Sequence, residues 1–219
     1  MIYQEDLMNP KQEFYKTQAD TIIKHLQKRR MKGYYCPCAE DAVKTAMALT
    51  AANTTVSFGG SMTLTETGIL DALKSRTDIR LLDRSLAKTP EEIKQVYRDS
   101  FSVNTYFLST NAITLDGQLV NVDGNGNRVA GLIYGPDQVI VVAGMNKVVS
   151  TAEDAIRRVR NIASPPNCIR LNKQTPCAVT GMCAECLGDD CICSQTVITR
   201  RSGIKDRIKV LLVGEELGY

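Results

Sequence analysis

Five cysteines lie close together in the last fifth of the chain and form its sharpest chemical signal. They are Cys177, Cys183, Cys186, Cys191 and Cys193, which fall within seventeen residues at the spacing C-x5-C-x2-C-x4-C-x-C. A C-x2-C pair can place two thiolates on one metal, and two further thiolates complete the tetrahedral ligand set that zinc and iron-sulfur clusters both require. The spacing predicts a zinc or iron-sulfur site, with a loop of reduced or redox-active thiols as the alternative.

A two-glycine turn is the second candidate for chemistry. Gly59 and Gly60 follow a strand-like run and precede a stripe of apolar residues at helical spacing. Free backbone N–H groups at such a helix start could accept a phosphate or a carboxylate. Thr63 and Glu66, three residues apart, predict a capping box at this helix start. A tight structural turn is the alternative, because glycine pairs mark turns of every kind.

Other polar residues follow strand-like runs farther along the chain. Asn111 comes after one such run, and Lys147 comes after the most hydrophobic one. In open α/β sheets, ligands bind beyond the carboxyl ends of the strands. We therefore expect one pocket for a small anionic molecule, formed by Gly59, Gly60, Ser61, Thr63, Asn111 and Lys147. Taken singly, Asn111 is also explained as a turn former and Lys147 as a surface charge.

The elements that would position these residues alternate between strand and helix. Strand-like runs lie at residues 54–58, 79–83, 104–109 and 138–144, and helix-like stretches lie between the first three. This alternation predicts an α/β fold with a mostly parallel sheet and helices on both faces. Residues 138–144 suit the middle of that sheet, and Asp116-Gly117 predicts a hairpin between two further strands.

We expect a single domain over residues 1–219. Residues 1–38 are interpreted as an N-terminal helical lead-in, with a helix from Pro10 to Met31 that Gly33 stops. A later helix begins at the Thr151 cap and is expected to end before Pro165-Pro166. Residues 168–194 are interpreted as a cysteine-rich insertion that forms a C-terminal loop.

Composition excludes several classes of function. The net charge of +3, from 27 basic and 24 acidic residues, is small and evenly spread, so nucleic acid is not an expected partner. The first residues lack a signal-peptide pattern and the apolar runs are too short to span a bilayer, so we expect a cytoplasmic protein that does not enter the membrane. In that compartment, eight cysteines indicate thiols or metal ligands rather than disulfides.

Several segments together resemble the lactate-utilization family, also known as the LUD domain family. They are FGGSMTLTETGIL, STNAITLDGQLVNVDGNGNRVAGLIYGP, VVAGMNKVV, TPCAVTGMCAECLGDDCIC and VLLVGEELGY. The resemblance implies a three-layer Rossmann-like fold, similar to that of ribose-5-phosphate isomerase, glucosamine-6-phosphate deaminase and CoA-transferases. The chain lacks a C-x2-C-x2-C-x3-C-P run, so it resembles the small companion subunit of an iron-sulfur lactate oxidation system or a stand-alone paralogue.

Three functions follow from the resemblance and the residues. The first is a part in the oxidation of L-lactate or a related 2-hydroxy acid, with iron-sulfur subunits or further copies of this chain as partners. The second is an isomerase, deaminase or transferase acting on a sugar phosphate or CoA ester, in which Glu66 or Asp116 is the general base and Lys147 stabilises developing negative charge. The third is a regulatory protein whose cysteines sense metal or redox state.

Overall fold

A computed structural model of the chain describes residues 9–219. Its main sheet has six strands in the spatial order β1-β10-β7-β4-β2-β3, and every neighbouring pair is parallel. The strands are β1 Lys32–Cys36, β2 Thr55–Phe58, β3 Arg80–Leu82, β4 Thr105–Ser109, β7 Gln138–Gly144 and β10 Ile208–Val213.

Helices cover both faces of this sheet, which confirms the predicted fold class. The helices are α1 Pro10–Lys28, α2 Ala39–Leu49, α3 Met62–Glu66, α4 Ile69–Ser75, α5 Pro90–Asp99, α6 Asn127–Ile133, α7 Ala152–Arg158, α8 Ser164–Arg170 and α9 Pro176–Thr180. One hydrophobic core contains α1 and α6 side chains, and the other contains those of α2, α3 and α4.

Strand β7 has the predicted bounds and the predicted central position. Val139 and Val141 pack into one core, whereas Ile140 and Val142 pack into the other. Successive side chains of a strand point to opposite faces, so a strand that is covered on both faces is apolar throughout. All four of these side chains are fully buried.

A second sheet has four strands in the order β8-β5-β6-β9. These strands are β5 Ala112–Thr114, β6 Leu119–Asp123, β8 Val148–Val149 and β9 Gln195–Thr199. Strands β5 and β6 are antiparallel and are joined through Asp116-Gly117, which confirms the predicted hairpin. Gly117 has a φ of +84°, a backbone conformation that glycine adopts without steric cost.

The N-terminal segment differs from the expected helical lead-in. Helix α1 ends at Lys28, and Lys32–Cys36 is an edge strand that pairs with β10. Gly33 lies inside this strand rather than at a helix end. Glycine suits this position because a Cβ there would be 2.7 Å from Ile23 Cγ1. The first eight residues of the lead-in lie outside the described residues.

Three helices were not expected, α6, α8 and, within the expected cysteine-rich loop, α9, and one expected helix is divided. Helix α6 begins directly after the glycine-rich turn at 123–126, and α7 continues through a π-helical turn, Val159–Ala163, into α8. Pro165 and Pro166 are the second and third residues of α8. The helix after Gly60 is interrupted at Gly68, and its cap is Ser61, whose Oγ accepts from Leu64 N at 3.2 Å, rather than Thr63.

Within residues 9–219, no helix is long and apolar enough to cross a membrane. Residues 181–194, which carry four of the five clustered cysteines, contain neither helix nor strand.

Candidate functional site

A cavity of about 390 Å³ lies beyond the carboxyl ends of β2, β4 and β7. From β2 the chain continues to β3, toward one edge of the sheet, and from β4 it continues to β7, toward the other edge. The cavity therefore lies where the strand order reverses. Ligands of open α/β sheets bind at such a point. The cavity is lined by five of the predicted binding residues: Gly60, Ser61, Thr63, Asn111 and Lys147. We call it the anion cavity.

Lys147 is the most unusual residue of the anion cavity. It follows β7 in a short 3₁₀ turn, and only 4% of the residue is exposed. Its Nζ donates to Thr63 Oγ1 at 2.8 Å and to Ser109 Oγ at 3.1 Å. An ammonium group has three N–H donors, so one remains for a ligand in the cavity.

Burial lowers the pKa of Lys147 from 10.5 to about 7. The positive charges of Arg158 and Arg128 contribute to this lowering, and the carboxylate of Glu66 opposes it. Near pH 7 a large fraction of the amine is therefore unprotonated and able to accept a proton.

Arg128, at the start of α6, holds the cavity wall together. It donates to Asn111 Oδ1 at 2.9 Å, to Asn121 Oδ1 at 2.6 Å and to the backbone carbonyls of Ser109 and Val122. Its Nε lies 3.3 Å from Asp123 Oδ2, an ion-pair contact without hydrogen-bond geometry. Because these contacts occupy its guanidinium, Arg128 positions the wall rather than binding a ligand.

Other basic side chains complete the charge of the cavity. Arg84, Arg170 and Lys173 line it together with Lys147 and Arg128, whereas Asp123 is its one carboxylate side chain among residues 9–219. Arg84 lies against Gly60, and its Nη1 donates to the Tyr97 hydroxyl at 2.7 Å. This excess of positive charge favours an anionic ligand.

The segment after β10 covers the amine of Lys147. The Thr63 hydroxyl donates to the Leu217 carbonyl at 3.3 Å, and Leu217 N donates to Asn146 Oδ1 at 3.1 Å. A Cβ on Gly218 would lie 3.4 Å from Lys147 Nζ. The low exposure of Lys147 therefore depends on this segment.

Three predicted site residues do not line the anion cavity. Gly59 is buried beneath it, where a Cβ would lie 2.9 Å from Arg128 Cγ. Glu66 is exposed and accepts from Gly218 N at 2.5 Å. Asp116 lies in the β5–β6 turn, where its carboxylate is paired with Arg29. The structure thus brings neither predicted general base into the cavity.

Arg84 and Arg128 were not predicted as site residues. Arg84 follows the carboxyl end of β3, so the argument that selected Lys147 after β7 applies to it equally. Arg128 lies in α6, which was not predicted, and a single arginine after a glycine-rich turn resembles a surface charge.

All five predicted metal ligands line a second cavity of about 360 Å³, and Cys168 on α8 is a sixth thiol there. We call it the cysteine cavity. Cys168 and Cys177 are buried, with their sulfur atoms 3.6 Å apart, and none of the six cysteines forms a disulfide. Cys36 and Cys38 lie elsewhere, and Cys38 forms a separate group with Glu40 and Glu215.

The two cavities are neighbours. Helix α8 contributes Asn167 and Arg170 to the anion cavity and Cys168 to the cysteine cavity, and Ile192 lines both. Lys173 of the anion cavity forms an ion pair with Asp190 at 2.8 Å, directly before Cys191.

A parallel α/β sheet with a basic cavity at the reversal of its strand order defines an α/β protein of Rossmann-like architecture. The family model of the LUD domain matches residues 19–213, so the chain belongs to the LUD domain family, as its sequence segments predict. Comparison with curated protein sequences gives no match.

One solved structure supports the fold, and two others are similar to part of the chain. A DUF162 family protein from Deinococcus radiodurans has 14% sequence identity and a TM-score of 0.50, over 92% of this chain and 98% of that one. Ribose 5-phosphate isomerase from Plasmodium falciparum has 15% identity and a TM-score of 0.33, over 51% of this chain and 52% of that one. Ribose 5-phosphate isomerase A from Neisseria gonorrhoeae has 14% identity and a TM-score of 0.32, over 52% of each chain. The chain thus spans about half the length of these isomerases.

Proposed function

We propose that the protein binds L-lactate or a related 2-hydroxy acid in the anion cavity and takes part in its oxidation. Membership of the LUD domain family supports the choice of a 2-hydroxy acid. The excess of basic over acidic side chains in the cavity supports a carboxylate ligand.

The observation that carries this proposal is the environment of Lys147. Its amine is buried between the hydroxyls of Thr63 and Ser109, and no carboxylate of residues 9–219 forms an ion pair with it. A lysine that serves only to stabilise the fold gains from a carboxylate partner, because an unpaired buried charge is costly. A lysine that is unprotonated near neutral pH suits proton transfer instead.

Oxidation of a 2-hydroxy acid to a 2-oxo acid releases two protons and two electrons. In our proposal the substrate carboxylate binds near Arg84 and Lys173, and the Lys147 amine accepts the hydroxyl proton. The C2–H bond would break with loss of its proton to solvent, and its two electrons would pass one at a time to an iron-sulfur partner subunit. Lys147 then returns its proton to solvent, which completes the balance.

A phosphate ester is the second candidate substrate, and the size of the cavity favours it. A volume of about 390 Å³ is within the range of sites for ligands larger than a three-carbon acid. In this version the same amine moves a proton during an isomerisation or transfer reaction on the ester. Titration calorimetry with L-lactate and with D-ribose 5-phosphate separates the two candidates, since each predicts binding of its own ligand only.

The test of the main proposal is genetic. Deletion of the gene in the source organism is expected to abolish growth on L-lactate. The wild-type chain and a Lys44→Met variant, which changes an exposed lysine on α2, should restore growth, whereas Lys147→Met should not. Unaltered growth of the deletion strain, or full rescue by Lys147→Met, would exclude the proposal.

A further inference from the structure

We propose that the cysteine cavity binds a [4Fe–4S] cluster through four of five cysteines that line it: Cys177 on α9 and Cys183, Cys186, Cys191 and Cys193 on the loop after it. The proposal concerns a cofactor site of this chain and is independent of the substrate that the anion cavity binds.

The first argument is the convergence of thiols from separate segments. Cys168 lies on α8, Cys177 on α9 and the other four on the loop, yet all six line one cavity. Core packing does not explain this arrangement, because the four loop cysteines lie in a segment without helix or strand. Thiolates are the ligands of iron-sulfur clusters, and four suffice for one cluster.

The second argument is the size of the cavity and the spread of the sulfur atoms. Four thiolates on one zinc ion, at a Zn–S distance of about 2.3 Å, lie roughly 3.8 Å from one another. Among the described residues, no three of the cysteine sulfurs lie within 4.8 Å of one another. A cavity of about 360 Å³ is also far larger than a single ion needs. Thiols spread around a wide cavity fit the several metal and sulfide atoms of a cluster.

The third argument is that the loop has little other packing to hold it. Leu187 is 98% exposed and Met182 is 69% exposed, and Val179 on the preceding helix α9 is 79% exposed. Loops of this length without secondary structure are usually functional or disordered. Ligation of four thiolates to one rigid cluster supplies the cross-links that buried apolar side chains do not supply.

The charge around the cavity is compatible with a cluster. Asp190 forms an ion pair with Lys173, and Glu185 forms one with Arg160 at 2.5 Å. These two carboxylates are therefore neutralised by basic partners. Gly181 and Gly188 have open space around them, which allows the loop to adjust to a bound cluster.

Metal analysis of protein purified without oxygen tests the proposal. We expect about four iron and four sulfide per chain and an electron paramagnetic resonance signal after reduction with dithionite. Zinc without sulfide, or no bound metal, would overturn the proposal. This measurement on the wild-type chain requires no folded variant and no substrate, so its failure is distinct from a failure of the proposed function.

Matched cysteine variants then locate the site. The triple variant Cys183→Ser/Cys186→Ser/Cys191→Ser is expected to lose the iron and sulfide, because only three of the six cavity cysteines remain. Cys38→Ser makes the same change outside the cavity and should retain both. Circular dichroism checks that each variant is folded. Full iron content in a folded triple variant would contradict the assignment.

Discussion

A buried amine that donates only to hydroxyls differs from one that is paired with a carboxylate. Thr63 and Ser109 satisfy two donors of Lys147 without supplying a negative charge, so its environment does not favour the protonated form. Burial and the nearby charges of Arg158 and Arg128 then lower its pKa to about 7. The chemistry of Lys147 therefore depends on the absence of a carboxylate at contact distance within residues 9–219.

This pKa predicts how stability depends on pH. Between pH 7 and 10.5, the unfolded chain binds a proton on Lys147 that the folded chain does not, so the free energy of unfolding rises with pH by up to about 1.4 kcal/mol per pH unit. Lys147→Met removes this term. We expect the free energy of unfolding of the variant to exceed that of the wild type by the largest amount below pH 7, and this difference to disappear near pH 10.5.

Urea denaturation at several pH values measures the effect, with Lys44→Met as the control for an exposed lysine. A constant difference between wild type and Lys147→Met over this pH range would show that Lys147 is protonated normally.

The side chain of Arg128 stabilises several buried polar groups at once. Arg128→Met leaves Asn121 Oδ1 without its donor and the buried carboxylate of Asp123 without its ion-pair partner, so we expect a loss of roughly 3–5 kcal/mol in the free energy of unfolding. Arg170→Met changes an exposed arginine of the same cavity and should cost less than about 1 kcal/mol. Urea denaturation of both variants is the measurement, and equal losses would contradict the network.

The elements around the anion cavity are short and end in irregular turns. Helix α3 has only five residues, and Gly60 before it leaves room for the guanidinium of Arg84. The close approach of Arg84 thus explains why glycine suits position 60.

Gly60→Ala tests this close approach. The new Cβ would lie 2.5 Å from Arg84 Nη2, the end of a flexible side chain that can move aside. We expect little change in melting temperature but a loss of roughly tenfold in affinity for inorganic phosphate, about 1.4 kcal/mol. Gly203→Ala, with open space around it, is the control, and titration calorimetry is the measurement. Unchanged phosphate affinity would remove Arg84 from the ligand-binding set.

At the scale of the whole molecule, the cysteine loop is largely separate from the two hydrophobic cores. Chelator-treated protein is therefore expected to be cleaved first after Glu185 by a glutamate-specific protease, while its helix and strand content stays unchanged. Mass spectrometry of the early fragments and circular dichroism are the measurements. Glu40, in the first turn of α2, is the internal control, and equally fast cleavage there would show that the loop is no weaker than the rest.

The sequence predicts the centre of this fold better than its edges. Strand β7 is apolar enough to be identified with its bounds, and the Asp116-Gly117 hairpin has a specific turn signal. Helix α6 was missed because the glycines before it indicated another turn, and α8 was missed because Pro165-Pro166 indicated a stop. Strand β1 was missed because its pairing with β10 joins residues far apart in the chain.

The site was predictable only in part, for a related reason. Lys147 and Asn111 follow recognisable strands, and that position alone suggested the cavity. Whether a charged side chain is buried depends on contacts with distant residues, so the sequence did not distinguish Arg128 from a surface arginine. The two cavities are adjacent because residues of α8 line both, and the sequence did not predict this helix.

The cover over Lys147 also has a consequence for the order of events during synthesis. Thr63, Ser109 and Lys147 leave the ribosome before residues 215–218, which shield the amine from water. Until that segment docks, Lys147 is a hydrated and protonated lysine like any other. A nascent chain therefore contains all the basic side chains of the cavity before any of them is neutral. Lys147 becomes a proton acceptor only when residues 215–218 have docked.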